Sequence, residues 1–234
     1  MLIGMNRMQK LAVLALAAVL IAAAAPPLSP AGQKLFQDWK TSVDAERARQ
    51  ARLAPATTLA EAFARRRELD QVGRRNLGPI FAAPLPQAEK HRLMKLVNDQ
   101  ITPIDEDNLR YLKSVLPADG WFRKSRDGAA VASTAWLIVQ HTHDRAFQKE
   151  VLARMEPLVA EGEADGADFA LLYDRNEMFE GRPQKYGSQV TCEGGVWVLS
   201  KLVDPAHVDE FRHAVGLKQT LAENEKRLGV GDPC

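Results

Sequence analysis

Cysteine is almost absent from this chain: only Cys192 and Cys234 occur in its 234 residues. Neither lies near the N-terminus, which argues against a lipid-anchored cysteine there, and no recognised zinc-ligand spacing can be found. Charge imbalance is absent as well, with 31 basic against 30 acidic side chains. A chain so balanced lacks the basic surface that non-specific nucleic-acid binding requires, so no nucleic-acid partner is expected. There is no Gly-rich phosphate loop of the P-loop or dinucleotide type, no GxSxG nucleophile elbow, no internal repeat and no low-complexity linker.

Long apolar runs are also missing, with one exception. From Leu11 to Ala25 the chain is uninterruptedly apolar, it is preceded by Arg7 and Lys10, and Pro26-Pro27 ends it. That three-part layout is a secretory signal. Small residues at Ser29 and Ala31 favour cleavage after Ala31, with cleavage after Ala24 as the alternative. The expected organisation is a cleaved signal over residues 1–31, an N-terminal helix or arm over 32–57 and a helical domain over 58–234. Taking two from the 31 basic groups leaves the mature chain with 29 against 30 acidic ones. Its localisation is expected to be periplasmic or secreted, with no membrane association once the signal is removed. In such a compartment the two cysteines are free to pair, and whether they approach is left open by the sequence.

The remaining 200 or so residues suffice for one domain with a sizeable core. The pattern is mainly α, a single helical domain with a small β-hairpin near residues 188–203. Leu35, Trp39 and Val43 recur at helical spacing in a first helix. Thr58 and Glu61 form a capping box for the next. Separate helices are expected from about Pro86 to Asn98 and from about Asp105 to Leu116. The segment VASTAWLIV is apolar on all sides and so belongs to a central helix. Asp144 is the N-cap of its successor, and a helix over 168–179 follows. Beyond Gly187 two β-branched runs flank Glu193-Gly194-Gly195, a hairpin signal. Asp204-Pro205 then restarts helix.

Polar side chains stand on faces that should be core. Gln140 and His141 continue the rows of Trp136 and Leu137, and Asp174 lies on the row of Ala170 and Met178 beside Arg175. Asp70, Gln71 and Arg74 cluster along one helix. Buried without partners, such groups would cost about 1–3 kcal/mol each, so partners must exist. The segment EGRPQKYGSQVTC contributes Arg182, Gln184, Tyr186, Ser188 and Gln189 with little apolar between them.

Taken together, DQVGR (Asp70 to Arg74), DEDN, Gly120-Trp121, AWLIVQH, Phe147-Gln148, YDR (Tyr173 to Arg175) and GRPQKYGSQ resemble a bacterial family known only as domain of unknown function 6624. Its members read AWLLVQH, LTDR and GxxQxYGTQ, and the similarity runs from about Leu59 to the C-terminus. The chain departs from the pattern at Ser188, where Thr is usual, and at Phe122, where Pro is usual. The resemblance implies a shared polar cluster walled in part by the QKYGSQ loop, and no mechanism.

His141 is the natural acid/base candidate, because its ordinary pKa lies near neutrality. Asp174 is expected to orient it. Gln140, Arg175, Arg182, Gln184, Tyr186, Ser188, Gln189, Asp70, Gln71 and Arg74 are the expected substrate-binding groups. His141-x-His143 with Asp144 looks superficially like metal ligation, but i and i+2 side chains diverge at a helix end. No metal or other cofactor is expected. Two readings follow: an exported hydrolase or transferase acting on a small polar cell-envelope substrate, or a non-catalytic helical module whose network binds a ligand or fixes the fold. A mouth leading to His141 favours the first, and full enclosure favours the second. Oligomeric state is not legible from the chain.

Overall fold

The computed structural model describes residues 26–234. The signal segment assigned to residues 1–31 falls mostly outside the described residues. Helix α1, Pro30–Gln50, starts on Ser29, whose hydroxyl accepts from Gly32 N–H while its own N–H donates to Glu89 Oε1 at 2.7 Å. Far from being a loose arm, α1 is packed down. Trp39 and Val43 are buried, and the Trp39 indole donates to the Gly73 carbonyl at 2.8 Å. Gly73 allows that close approach, since a Cβ would stand 3.1 Å from the Trp39 ring and the ring would have to shift.

Helix α2, Leu59–Arg75, is capped by Thr58 as expected, but the reciprocal bond shifts by one residue: the Glu61 carboxylate accepts from Thr57 N–H. After the short α3, Gly78–Ala82, helix α4 runs unbroken over Gln87–Ser114. The two helices expected there are therefore one. Pro103 removes one N–H from the ladder, yet Leu93, Val97, Ile101, Ile104, Asn108 and Leu112 continue a single buried stripe through it. Continuous burial of that stripe outweighs the roughly 3 kcal/mol a mid-helix proline costs.

The short α5, Lys124–Asp127, leads into α6, Ala129–His141, which is the central helix: Val131, Ala132 and Thr134 through Gln140 are all buried. Around it lie α2, α4, α7 (Arg145–Ala160) and α8 (Gly166–Phe179), capped by Asp144 and Asp165 respectively. Two apolar clusters result. The larger includes Phe63, Leu112, Trp121, Phe122, Ile138, Val151 and Leu172, and the smaller joins Trp39, Val43, Ile80, Leu93 and Val97. Phe122 is fully enclosed and stacks edge-on against Phe63 and Trp121, which gives the large apolar residue at this position a packing role.

The hairpin pairs β1, Val190–Glu193, with β2, Val196–Leu199, in antiparallel register. Gly194 and Gly195 make its turn with φ 59° and 86°, the left-handed geometry that a two-residue hairpin loop requires. Cys192 and Cys234 are bonded, their Cα atoms 5.9 Å apart. The tail lies along β2: Gly231 N–H donates to the Trp197 carbonyl and Cys234 N–H to that of Gly195. Helix does not resume at Asp204. That carboxylate caps a turn at Ala206 N–H, and α9 begins later, at Val208–Ala214, followed by α10, Leu221–Leu228. Among the described residues no helix is long and apolar enough to cross a membrane.

Candidate functional site

Helix α6 ends at a point fixed from outside. Gln148 of α7, wholly enclosed, donates its amide N–H groups to the Val139 carbonyl at 2.9 Å, which also accepts from Thr142 N–H, and to the Thr142 carbonyl just beyond the helix end at 3.0 Å. The Gln140-His141 pair is thereby held at the wall of a cavity of about 310 Å³. Its lining includes Arg74 of α2, Thr102 and Asp105 of α4, and Arg145 and Arg175. The exposed His143 and Phe179 also line it, so it opens to solvent.

His141 Nδ1 lies 2.9 Å from Oδ1 of Asp70, which is almost fully enclosed. Burial pushes the Asp70 carboxyl up, but the hydrogen bond from His141 and the charges of His141 and Arg74 outweigh it, and the net shift is downward. An ionised carboxylate can only accept, so the imidazole donates from Nδ1, and the neutral ring carries no proton on Nε2. With a side chain 16 % exposed and lining the cavity, His141 is the accessible member of the pair.

Behind the ring the charges interlock. Arg74 donates from Nη1 to Asp70 Oδ1 at 3.0 Å and from Nη2 to both Asp105 oxygens at 2.8 and 2.9 Å. Gln71 donates to Asp70 Oδ2 at 2.6 Å. Burial pushes the Asp105 carboxyl up, with Arg74 pulling against it. Asp70, Asp105 and His141 each offer a ligand atom within 4.8 Å of the others, a set that could hold a metal ion. The Arg74 guanidinium bridges those same two carboxylates, so a cation is already in place and an ion would have to displace it.

Gln140, next to His141 in the chain, is buried, and with its amide oxygen facing α8 it accepts from Arg175 Nε at 3.0 Å and Nη1 at 2.9 Å. Arg145 donates to Gln148 Oε1 at 2.8 Å and stacks its guanidinium 3.4 Å from the centroid of the Phe179 ring. Burial, with the nearby charge of Arg145, lowers the Arg175 pKa.

The expected pairing of Asp174 with His141 is not formed. Asp174, 0 % exposed, points into the following loop and accepts from the N–H groups of Lys185, Tyr186 and Ser188 at 2.8 to 3.2 Å. Burial pushes its carboxyl up while those N–H groups pull it back. The loop is otherwise self-contained. Gln184 donates to the carbonyls of Gln189 and Ser200 and accepts from Gln189 N–H. Arg212 donates to the Tyr186 carbonyl, Asn224 to that of Gly187, and the Gln189 side chain donates to the Ser188 hydroxyl. Tyr186 is buried edge-on against Phe169 and Tyr173. Arg182 pairs with Glu177 and Glu180 at the surface. None of Asp174, Arg182, Gln184, Tyr186, Ser188 or Gln189 lines the cavity.

The proposed residues therefore fall into two groups. Asp70, Gln71, Arg74, Gln140, His141 and Arg175 are brought together about the cavity. The loop group forms a separate structural knot on α8, one residue from Arg175. Asp105 and Arg145 were not anticipated. The signal for Asp105 was its place beside Ile101 and Ile104 on the buried stripe of α4, hidden by reading it as the start of a new helix. Arg145 directly follows a cap residue and carries no such signal.

The model of a family of unknown function, DUF6624, matches residues 86–229, and the chain belongs to that family. The match covers α4 through α10 and leaves α2, with Asp70 and Arg74, outside it. No curated protein and no solved structure matches.

Proposed function

For this member of a family without an assigned activity, we propose an acid/base enzyme, a hydrolase or transferase, in which His141 is the proton-transferring catalytic residue and Asp70 its positioning residue. The observation that carries the reading is the His141–Asp70 pair, with one imidazole nitrogen tied to an enclosed carboxylate and the ring lining an open cavity. Nε2 takes the proton of a water or hydroxyl as its oxygen bonds to the electrophilic centre of the substrate. The bond from that centre to the leaving oxygen breaks, and the imidazolium returns the proton to the leaving group. Asp70 holds the tautomer and stabilises the imidazolium in between. The test is turnover by the mature chain against panels of small polar envelope-type substrates, with His141→Gln as the control. Loss of turnover in a variant that keeps its fold supports the reading, and unchanged turnover ends it.

The non-catalytic alternative draws on Asp174. That carboxylate is fully enclosed and spent on backbone N–H groups, as a purely structural network would have it. The same reasoning does not extend to His141, which has a mouth.

Export is part of the proposal. The apolar run before Pro26 and the bonded Cys192–Cys234 pair support an extracytoplasmic location. Because Ser29 caps α1 and Leu28 packs against the smaller apolar cluster, cleavage after Ala24 preserves the fold's N-terminal anchor, whereas cleavage after Ala31 removes it.

A further inference from the structure

We propose that Arg145 and Arg175 form an anion site facing His141, and that the group it takes is a phosphoryl dianion. Resting on the acid/base reading above for its role in a reaction, this names the substrate class as a small phosphate ester.

The charges of the cavity do not cancel. Arg74 is consumed by Asp70 and Asp105, and Asp70 is further bonded to His141. Arg145 and Arg175 are different. Among the described residues neither has a carboxylate within ion-pairing distance, although surface arginines such as Arg49, Arg123 and Arg182 do. Their partners are neutral: the Gln140 amide and carbonyl for Arg175, the Gln148 amide and the Phe179 ring for Arg145.

Two half-buried guanidiniums close enough to repel are unfavourable in the empty protein. The charge of Arg145 contributes, after burial itself, to the lowered Arg175 pKa, while burial alone lowers that of Arg145. Such an arrangement persists where a ligand supplies the missing charge. The neutral partners hold each fork in place while leaving its charge unspent.

At Arg145 and Arg175, which have no carboxylate partner, two positive charges match a dianion better than a monoanion, while Arg74 set against Asp70 and Asp105 leaves that group one charge negative. A phosphoryl group offers three terminal oxygens, enough to engage both forks, and Arg is the side chain whose planar donors fit that geometry. A carboxylate would leave one guanidinium unneutralised. His141 lines the same cavity as both arginines, so a phosphoryl group held there shares that cavity with the imidazole.

Calorimetric titration of the mature chain with inorganic phosphate at low ionic strength tests this, with acetate as the comparison. Phosphate should bind, and acetate should bind at least about tenfold more weakly. Arg145→Gln and Arg175→Gln should each weaken phosphate by about tenfold or more, and Arg145→Lys should retain part of the binding because the charge remains. Should Arg175→Gln fail to fold, the more exposed Arg145 pair of variants still decides the matter. No phosphate binding by the wild type, equal binding of acetate, or binding indifferent to Arg145→Gln overturns the site.

The two readings fail separately. Phosphate binding that depends on the arginines but leaves the His141 ring nitrogens unmoved in the NMR spectrum supports the anion site and removes the acid/base role. A ring with its proton on Nδ1 in a protein that binds no phosphate retains the acid/base pair and overturns the phosphoryl substrate.

Discussion

Nδ1 of His141 and Oδ1 of Asp70 meet at 2.9 Å although 71 residues separate them in the chain. The contact joins the last residue of the central helix to the inner face of α2, and so it exists only when those two helices are docked.

Replacing Asp70 by Ala removes the acceptor that fixes the imidazole. The ring nitrogens should then show averaged tautomers, and Arg74 loses one of its two carboxylates. Stability should fall by about 1–3 kcal/mol, the range for stranding buried donors. Denaturant unfolding checks the second effect and nitrogen NMR the first. An unchanged tautomer would show that Asp70 does not orient His141.

Asp174 should behave differently. Asp174→Asn keeps the shape but removes the charge that gathers the N–H groups of Lys185, Tyr186 and Ser188, and it sets an amide N–H against those donors. A loss of about 2–4 kcal/mol is expected, with faster amide hydrogen exchange over residues 184–189. The His141 ring signals should stay where they are, since no bond joins the two groups. Movement of those signals would revive a direct link between Asp174 and the histidine.

These two carboxylates show what the chain revealed and what it hid. The helical class, the hairpin turn at Gly194-Gly195 and the central helix 129–141 were readable because apolar periodicity and turn chemistry are local signals. The polar residues were readable too, since Gln140, His141, Asp70 and Asp174 interrupt apolar rows. Their partners were not. Which carboxylate reaches His141 depends on how α2, α6 and α8 dock, and helical spacing says nothing about that. The expected second helix start at Asp105 misled for the opposite reason: a local signal was overridden by the continuous stripe from Leu93 to Leu112.

Asp168 gives a pH signature. Burial, with the neighbouring Asp165, pushes its carboxyl up to about 7. In the unfolded chain it titrates near about 4, so between those values the native state holds a proton that the unfolded state has released. Stability from this group therefore falls as pH rises from about 4 to about 7 and is level above that. Asp168→Asn should flatten that slope and raise the melting temperature at pH about 8 by several degrees, at roughly 2–4 °C per kcal/mol. A variant no more stable than the wild type at that pH would show that the carboxyl is not raised.

With the proposed export, Ser29 bears on where the N-terminus lies. The cap and the Ser29–Glu89 bond are kept if the signal is cut after Ala24. Intact mass of protein recovered from the periplasm should correspond to a chain starting at Ala25. A chain starting at Gly32 should melt lower, because a lost N-cap costs about 1 kcal/mol. Recovery of Gly32 as the natural start, with no loss of stability, would contradict the role given to Ser29.

The most direct measurement is the nitrogen NMR spectrum of the His141 imidazole in the mature protein, recorded before and after addition of inorganic phosphate. The account predicts that the neutral ring carries its proton on Nδ1, bonded to Asp70, and that the Nε2 signal shifts as phosphate fills the cavity beside it. A proton on Nε2, or a ring that stays unmoved while phosphate is bound in the cavity, would make His141 a structural histidine and end the acid/base account.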